Sequence, residues 1–187
     1  YMGAETTDFS AFGLHYQWGR KDPFPFMGKV VPLNAIHSLQ YREEYNNIEY
    51  TIQHPTEIYD DVNWNWDSKL WTSSKTIYDP CPVGWRVPDH AVWTSWDNPS
   101  GEYGHRDDAF LVIGDPYSSP ETIYPLAGRL DWINTWPDQM FFEGYYWSVS
   151  LDNVFTAYDT SFSLWNGIGR DERALVRCMK EQDVESG

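Results

Sequence analysis

Apolar residues recur with a period of two near both ends of the chain and with no clear period through much of its middle. Leu14, Tyr16 and Trp18 alternate with His15 and Gln17, which predicts a half-buried strand with the polar pair on the other face, turned by Lys21-Asp22-Pro23. Residues 145–150 and 157–164 each predict a strand, and residues 174–179 predict the strand that ends the fold, entered through a turn at Gly167-Ile168-Gly169-Arg170. In the middle, residues 48–52 predict a short strand, and His54-Pro55-Thr56 opens a turn. Residues 110–113 predict a buried strand, and residues 123–129 another, whose Pro125 places it at a sheet edge. Residues 30–47 are polar and irregular and read as a loop. The sum is α+β: a small antiparallel sheet with one or two short helices and long loops.

Residues 79–96, DPCPVGWRVPDHAVWTSW, form a stretch of low backbone freedom. Pro80 and Pro82 around Cys81 favour an extended run, and Gly84 allows a geometry closed to residues with a Cβ. After Pro88, Asp89 suits the N-cap of a short helix over residues 89–96, with Val92, Trp93 and Trp96 on one face. The chain has two cysteines, so one intramolecular pairing is possible. If Cys81 and Cys178 pair, the closed loop of roughly 100 residues is worth about 4 to 5 kcal/mol in the chain-entropy description. Two separate buried thiols in a reducing compartment are the alternative, and the residues alone leave it open.

Composition changes the picture in two ways. Aromatic residues make up 18% of the chain, with 11 Trp and 13 Tyr, more than a core of this size requires. Some rings are therefore expected at the surface, as on carbohydrate-binding or protein-interaction faces, unless strands use them as half-buried residues. A net charge of −15, from 28 acidic against 13 basic side chains, argues against nucleic acid, because phosphates would be repelled over most of the surface and no basic stripe offsets this. No apolar run is long enough to cross a bilayer, and no secretory leader opens the chain. Without a flexible linker, residues 1–187 read as a single domain, and Tyr1 in place of a start methionine reads as the mark of a fragment, so the missing leader says nothing about the full-length product.

Candidate chemistry concentrates in two aromatic-acidic stretches. Residues 60–67, DDVNWNWD, could hold calcium through oxygens or stack sugars on Trp64 and Trp66, though they lack the glycine and terminal glutamate of a helix-loop-helix calcium site. Residues 130–143 repeat the combination with Trp132 and Trp136. These four tryptophans are the candidate ligand-binding residues, since flat rings cover the apolar faces of sugars at low entropic cost. Catalysis finds less support. The five histidines are scattered without ligand-like spacing, and there is no Gly-rich phosphate loop and no Gly-x-Ser-x-Gly elbow. No catalytic residue, metal or cofactor is assigned.

Taken together, GLHYQWGRKDPFP (13–25), KTIYDPCPVGWRVP (75–88), YPLAGR (124–129), GYYWSVS (144–150) and VRCMKE (176–181) resemble the C-terminal domain of fimbrillin-like surface proteins of gut Bacteroidales. That domain is similar to the Fibrobacter succinogenes major paralogous domain, of C-type lectin-like fold. The resemblance implies an exported cell-surface, outer-membrane or fimbria-associated adhesion module, with a disulfide from Cys81 to Cys178, the helix of residues 89–96 packed on the sheet, and long loops opposite the termini. Its implied partners are a glycan or host protein, or a neighbouring pilus subunit; the chain would then be a structural subunit or scaffold. A glycan-acting enzyme is the remaining alternative. The sequence departs from sugar-binding C-type lectins in having no Glu-Pro-Asn, Gln-Pro-Asp or Trp-Asn-Asp tripeptide; Trp165-Asn166-Gly167 and Trp136-Pro137-Asp138 are partial echoes. Calcium-dependent sugar binding is therefore not carried over, and the lectin-like fold does not fix a function.

Overall fold

Strands carry most of the regular structure. The computed structural model describes residues 12–24, 48–55, 69–94, 104–105, 110–113, 122–130, 138–150, 153–158, 161–165, 168–169 and 172–181. In chain order these form β1 (His15–Gln17), α1 (Ile48–Gln53), β2 (Trp85–Arg86), α2 (Ala91–Thr94), β3 (Gly104–His105), β4 (Phe110–Ile113), β5 (Thr122–Pro125), β6 (Glu143–Trp147), β7 (Val154–Tyr158), β8 (Phe162–Trp165), β9 (Arg173–Leu175) and β10 (Met179–Lys180). The largest sheet has the order β1-β9-β6-β7-β8, β10 pairs with β2 in a ribbon, and β3-β4-β5 make a third sheet. The protein is α+β, mainly sheet, with two short helices among the described residues.

The central strands are buried on both faces. Tyr146, Phe155 and Leu175 belong to one core with Trp93, Leu111 and Tyr124. Their chain neighbours Tyr145, Val154 and Ala174 belong to a second core, with Trp18, Trp71, Cys81, Val87 and Trp147. Strands covered on both sides read as continuous apolar runs, and β6 does so. Trp93 of α2 stacks on Phe155 of β7 at 5.1 Å and donates its indole N–H to the Tyr124 hydroxyl of β5 at 3.2 Å. That one side chain ties the short helix and the third sheet to the main sheet.

Several expectations need correction. Residues 48–52 are helical, because Ile48 and Ile52 stand at i, i+4 as well as at period two; Tyr50 and His54 use the same spacing to stack at 3.9 Å. Residues 157–164 are two strands, the end of β7 and the start of β8, with Tyr158 N donating to Ser161 O at 2.8 Å where the chain reverses. Residues 174–179 split between β9 in the main sheet and β10 in the ribbon, because the disulfide at Cys178 draws the chain across to β2. The main sheet is not wholly antiparallel. Residues β6, β7 and β8 form a meander, and β9 joins on the other side of β6, parallel to it, with Tyr146 opposite Leu175. The helix after Pro88 begins at Ala91 and not at residue 89, and is described as far as Thr94; Trp93 is buried, and Trp96 lies outside the described residues, as do residues 30–47.

The polar face of β1 also departs from expectation. His15 and Gln17 are completely buried, since His15 lies opposite Leu175 in the register with β9. The ring nitrogen Nε2 of His15 donates to the Gly128 carbonyl oxygen at 3.3 Å. Loss of hydration pushes the His15 pKa down from 6.5, the Gly128 carbonyl offsets part of this, and the Arg173 guanidinium lowers it again, to about 4. Between these two values the unfolded chain binds a proton that the folded chain does not, so stability rises with pH across the window. Acidification from pH 6.5 toward 4 is therefore expected to cost about 3 kcal/mol through His15 alone, on 1.36 kcal/mol per unit. Urea midpoints measured for the wild type and His15→Gln at pH 7 and pH 4 check this. Equal pH dependence in the two proteins would show that His15 does not contribute it.

Candidate functional site

Trp64, Trp66, Trp132 and Trp136 all lie outside the described residues, as does the acidic stretch 60–67. What is described is the foundation under the second pair. The chain enters residues 131–137 from Leu130, which exchanges two backbone hydrogen bonds with Arg173 of β9, 2.9 and 2.7 Å. It returns at Asp138, which exchanges two more with Arg129, 3.0 and 2.8 Å. Gly128 makes this approach possible: at φ 67° a Cβ there would stand 2.2 Å from the Asp138 carbonyl oxygen.

Charge braces the same base. Arg129 Nη1 donates to Glu172 Oε2 at 3.1 Å, and the guanidinium lies 5.1 Å from the centre of the Tyr145 ring. The Tyr145 hydroxyl donates to the Glu143 carboxylate. Burial pushes the Tyr145 pKa up, and the hydrogen bond to Glu143 and its negative charge raise it further, so the phenol remains a donor. Burial followed by the same carboxylate raises Tyr158 too. Two carboxylates, one guanidinium and a protonated phenol thus satisfy one another and hold the strand ends in place.

The turn after Asp138 carries a feature that sequence reasoning missed. Gln139 and Phe141 have φ of 59° and 72°, in the left-handed region. Such a conformation costs of order 1–3 kcal/mol for a residue other than glycine and persists only where its surroundings enforce it. Here Phe141 N donates to Leu126 O at 2.7 Å, while Phe142 N and Glu143 N both donate to Gln139 O, at 3.1 and 2.9 Å. The result buries Met140, sets Phe141 edge-on to Phe12 at 6.0 Å, and leaves Phe142 71% exposed. The available signal was the paired Phe141-Phe142 following Pro137-Asp138, an apolar pair next to a turn dipeptide.

The proline-rich corner is held from inside. Asp79, 1% exposed, accepts hydrogen bonds from Cys81 N at 2.8 Å, Val87 N at 2.9 Å and Lys75 Nζ at 3.1 Å. Lys75 Nζ also donates to the Cys81 and Trp85 carbonyl oxygens at 2.6 and 2.8 Å. The Asp89 carboxylate accepts from Ser73 and Arg86, and these bonds outweigh the opposing effect of burial and hold its pKa below the usual carboxylate value. Cys81 and Cys178 are bonded, with Cα atoms 5.8 Å apart and a sequence separation of 97.

Arg20, Lys21 and Asp22, in the turn that follows β1, line an open groove of about 190 Å³ together with Ile48, Ile52 and Ile77. Among the described residues no group of three or more histidine, cysteine, aspartate or glutamate side chains is placed to hold a metal ion, and no helix is long and apolar enough to cross a membrane. The chain matches no family model, no curated protein sequence and no solved structure.

Proposed function

We propose that the chain is a non-catalytic adhesion module of C-type lectin-like fold, exported to the cell surface, outer membrane or a fimbrium, that recognises glycan or protein through aromatic loops. The pinned base of residues 131–137 carries this reading. Paired backbone and an Arg129–Glu172 bridge fix the described residues on either side of this segment, so the stretch that carries Trp132 and Trp136 leaves from and returns to a braced base. A disulfide fits an oxidising compartment, which supports export. The fold assignment draws support from two features that the family resemblance implies: the staple from the corner to the chain after β9, and the helix α2 packed on the sheet.

Glycan-array binding and host-cell adhesion, measured for the wild type, Trp64→Ala and Trp132→Ala, test the proposal. Loss of one stacked ring, worth about 0.5–1.5 kcal/mol, is expected to weaken binding up to about tenfold. An array without a binder, together with unchanged adhesion by both variants, would remove the reading.

A further inference from the structure

We infer that the turn of residues 138–142 belongs to the recognition surface and takes an uncharged sugar ring, whose apolar face stacks on Phe142 while its hydroxyls meet the Asp138 carboxylate and the Gln139 amide. The inference rests on the adhesion reading above and narrows its ligand to a neutral glycan. Phe142 is 71% and Phe141 38% exposed, and Asp138 and Gln139 are exposed beside them. Hydrogen bonds bring the polar groups to the ring: Phe142 N donates to Gln139 O at 3.1 Å, and Gln139 N donates to Asp138 Oδ1 at 3.0 Å. Among the described residues the Gln139 side chain and Asp138 Oδ2 make no hydrogen bond and are open to a ligand. Left-handed backbone outside glycine gathers at ligand clamps, where strain fixes a side chain before the ligand arrives, and this turn has it at both Gln139 and Phe141. Met140 is buried and Phe141 N is bonded to Leu126 O at 2.7 Å, so the backbone under Phe142 is ordered in advance.

Size and charge select the ligand class. A standard protein interface covers about 800 Å² on each partner. The two exposed rings of this turn offer roughly 200 Å², from about 200 Å² for a whole aromatic side chain, which suits one sugar ring. Asp138 and Glu143 make the turn negative on a chain of net charge −15. The Arg129 guanidinium in the base beneath is matched by Glu172, so no described cation reverses that sign. Sialylated, uronate and sulfated sugars are therefore repelled, and neutral ones are not. Trp136 stands two residues before Asp138, no more than about 7 Å away along an extended chain, within reach of the same oligosaccharide.

A glycan array carrying neutral oligosaccharides beside their sialylated and sulfated counterparts, probed with the wild type, Phe142→Ala and Phe142→Trp, tests this. The wild type should bind neutral members and lose signal on the charged counterparts. Phe142→Ala should bind about two- to tenfold more weakly, and Phe142→Trp should restore binding, both with unchanged melting temperature because the position is exposed. In the wild type, the amide signals of Gln139 and Phe142 should shift on titration with the best neutral oligosaccharide of the array. An array without a neutral binder, a preference for the charged counterparts, or amide signals that stay in place overturns the inference. If Trp132→Ala loses a neutral glycan that Phe142→Ala binds like the wild type, this inference falls and the adhesion reading stands. If Phe142→Ala loses host-cell adhesion that free neutral oligosaccharide does not compete, the turn contacts protein and the glycan assignment falls.

Discussion

Replacing Cys81 and Cys178 together by serine is expected to lower the unfolding free energy by about 4 to 5 kcal/mol, the largest effect of any change considered. The bridge closes a sequence separation of 97 residues, and the chain-entropy relation gives about 4.7 kcal/mol for a loop of about 100. Structure adds to the entropy. Cys81 is buried against the second core, and the β2–β10 ribbon rests on two residue pairs, Met179 with Arg86 and Lys180 with Trp85. A ribbon that short is marginal in water, so it should separate from the corner once the bond is gone. Urea unfolding of the double serine variant, with amide exchange read at Met179 and Lys180, measures both consequences. A loss below about 1 kcal/mol would mean that the unfolded chain retains the contacts that the bond enforces.

The second large effect is expected at Asp79. Asp79→Ala should cost about 3 to 5 kcal/mol, because it removes one carboxylate from three donors at once, two of them backbone N–H groups of the corner. Each buried donor left without an acceptor costs about 1–3 kcal/mol. Asp79→Asn keeps one acceptor oxygen and should fall between alanine and wild type. Lys75→Met should cost less than Asp79→Ala, since the carboxylate would keep both backbone partners. Thermal unfolding of the three variants ranks them, and a loss under about 1 kcal/mol for Asp79→Ala would falsify the role. Asp79 and the disulfide act on the same segment, so the combined variant should lose less than the sum.

The rigid corner was readable because its constraints are local. Three prolines, Gly84 and a capping aspartate restrict the backbone whatever the rest of the chain does, and the structure places a bend, a short ribbon and a helix there. Strands β4, β5 and β6 were readable for a related reason: short apolar runs bounded by turn residues leave few other options. Errors fell where two periods fit equally well. Ile48 and Ile52 satisfy both a strand and a helix, and only the stack of Tyr50 on His54 and the capping bond from His54 N to Tyr50 O at 2.9 Å separate them. The recognition residues named from sequence, the four tryptophans, lie outside the described residues, whereas Phe142 is held outside the core by a backbone conformation that no sequence rule assigns to phenylalanine.

By itself the sequence determined the mainly sheet α+β class, the bend around Cys81 and the acidic surface, since these depend on composition and on contacts between near neighbours. Tertiary structure alone decided that His15 and Gln17 face inward, that β9 runs parallel to β6, that the last strand divides between two sheets, and that Lys75 and Asp79 lock the corner. Each of these depends on which distant segment arrives opposite a residue, and a pattern read along one strand carries no record of what covers its other face.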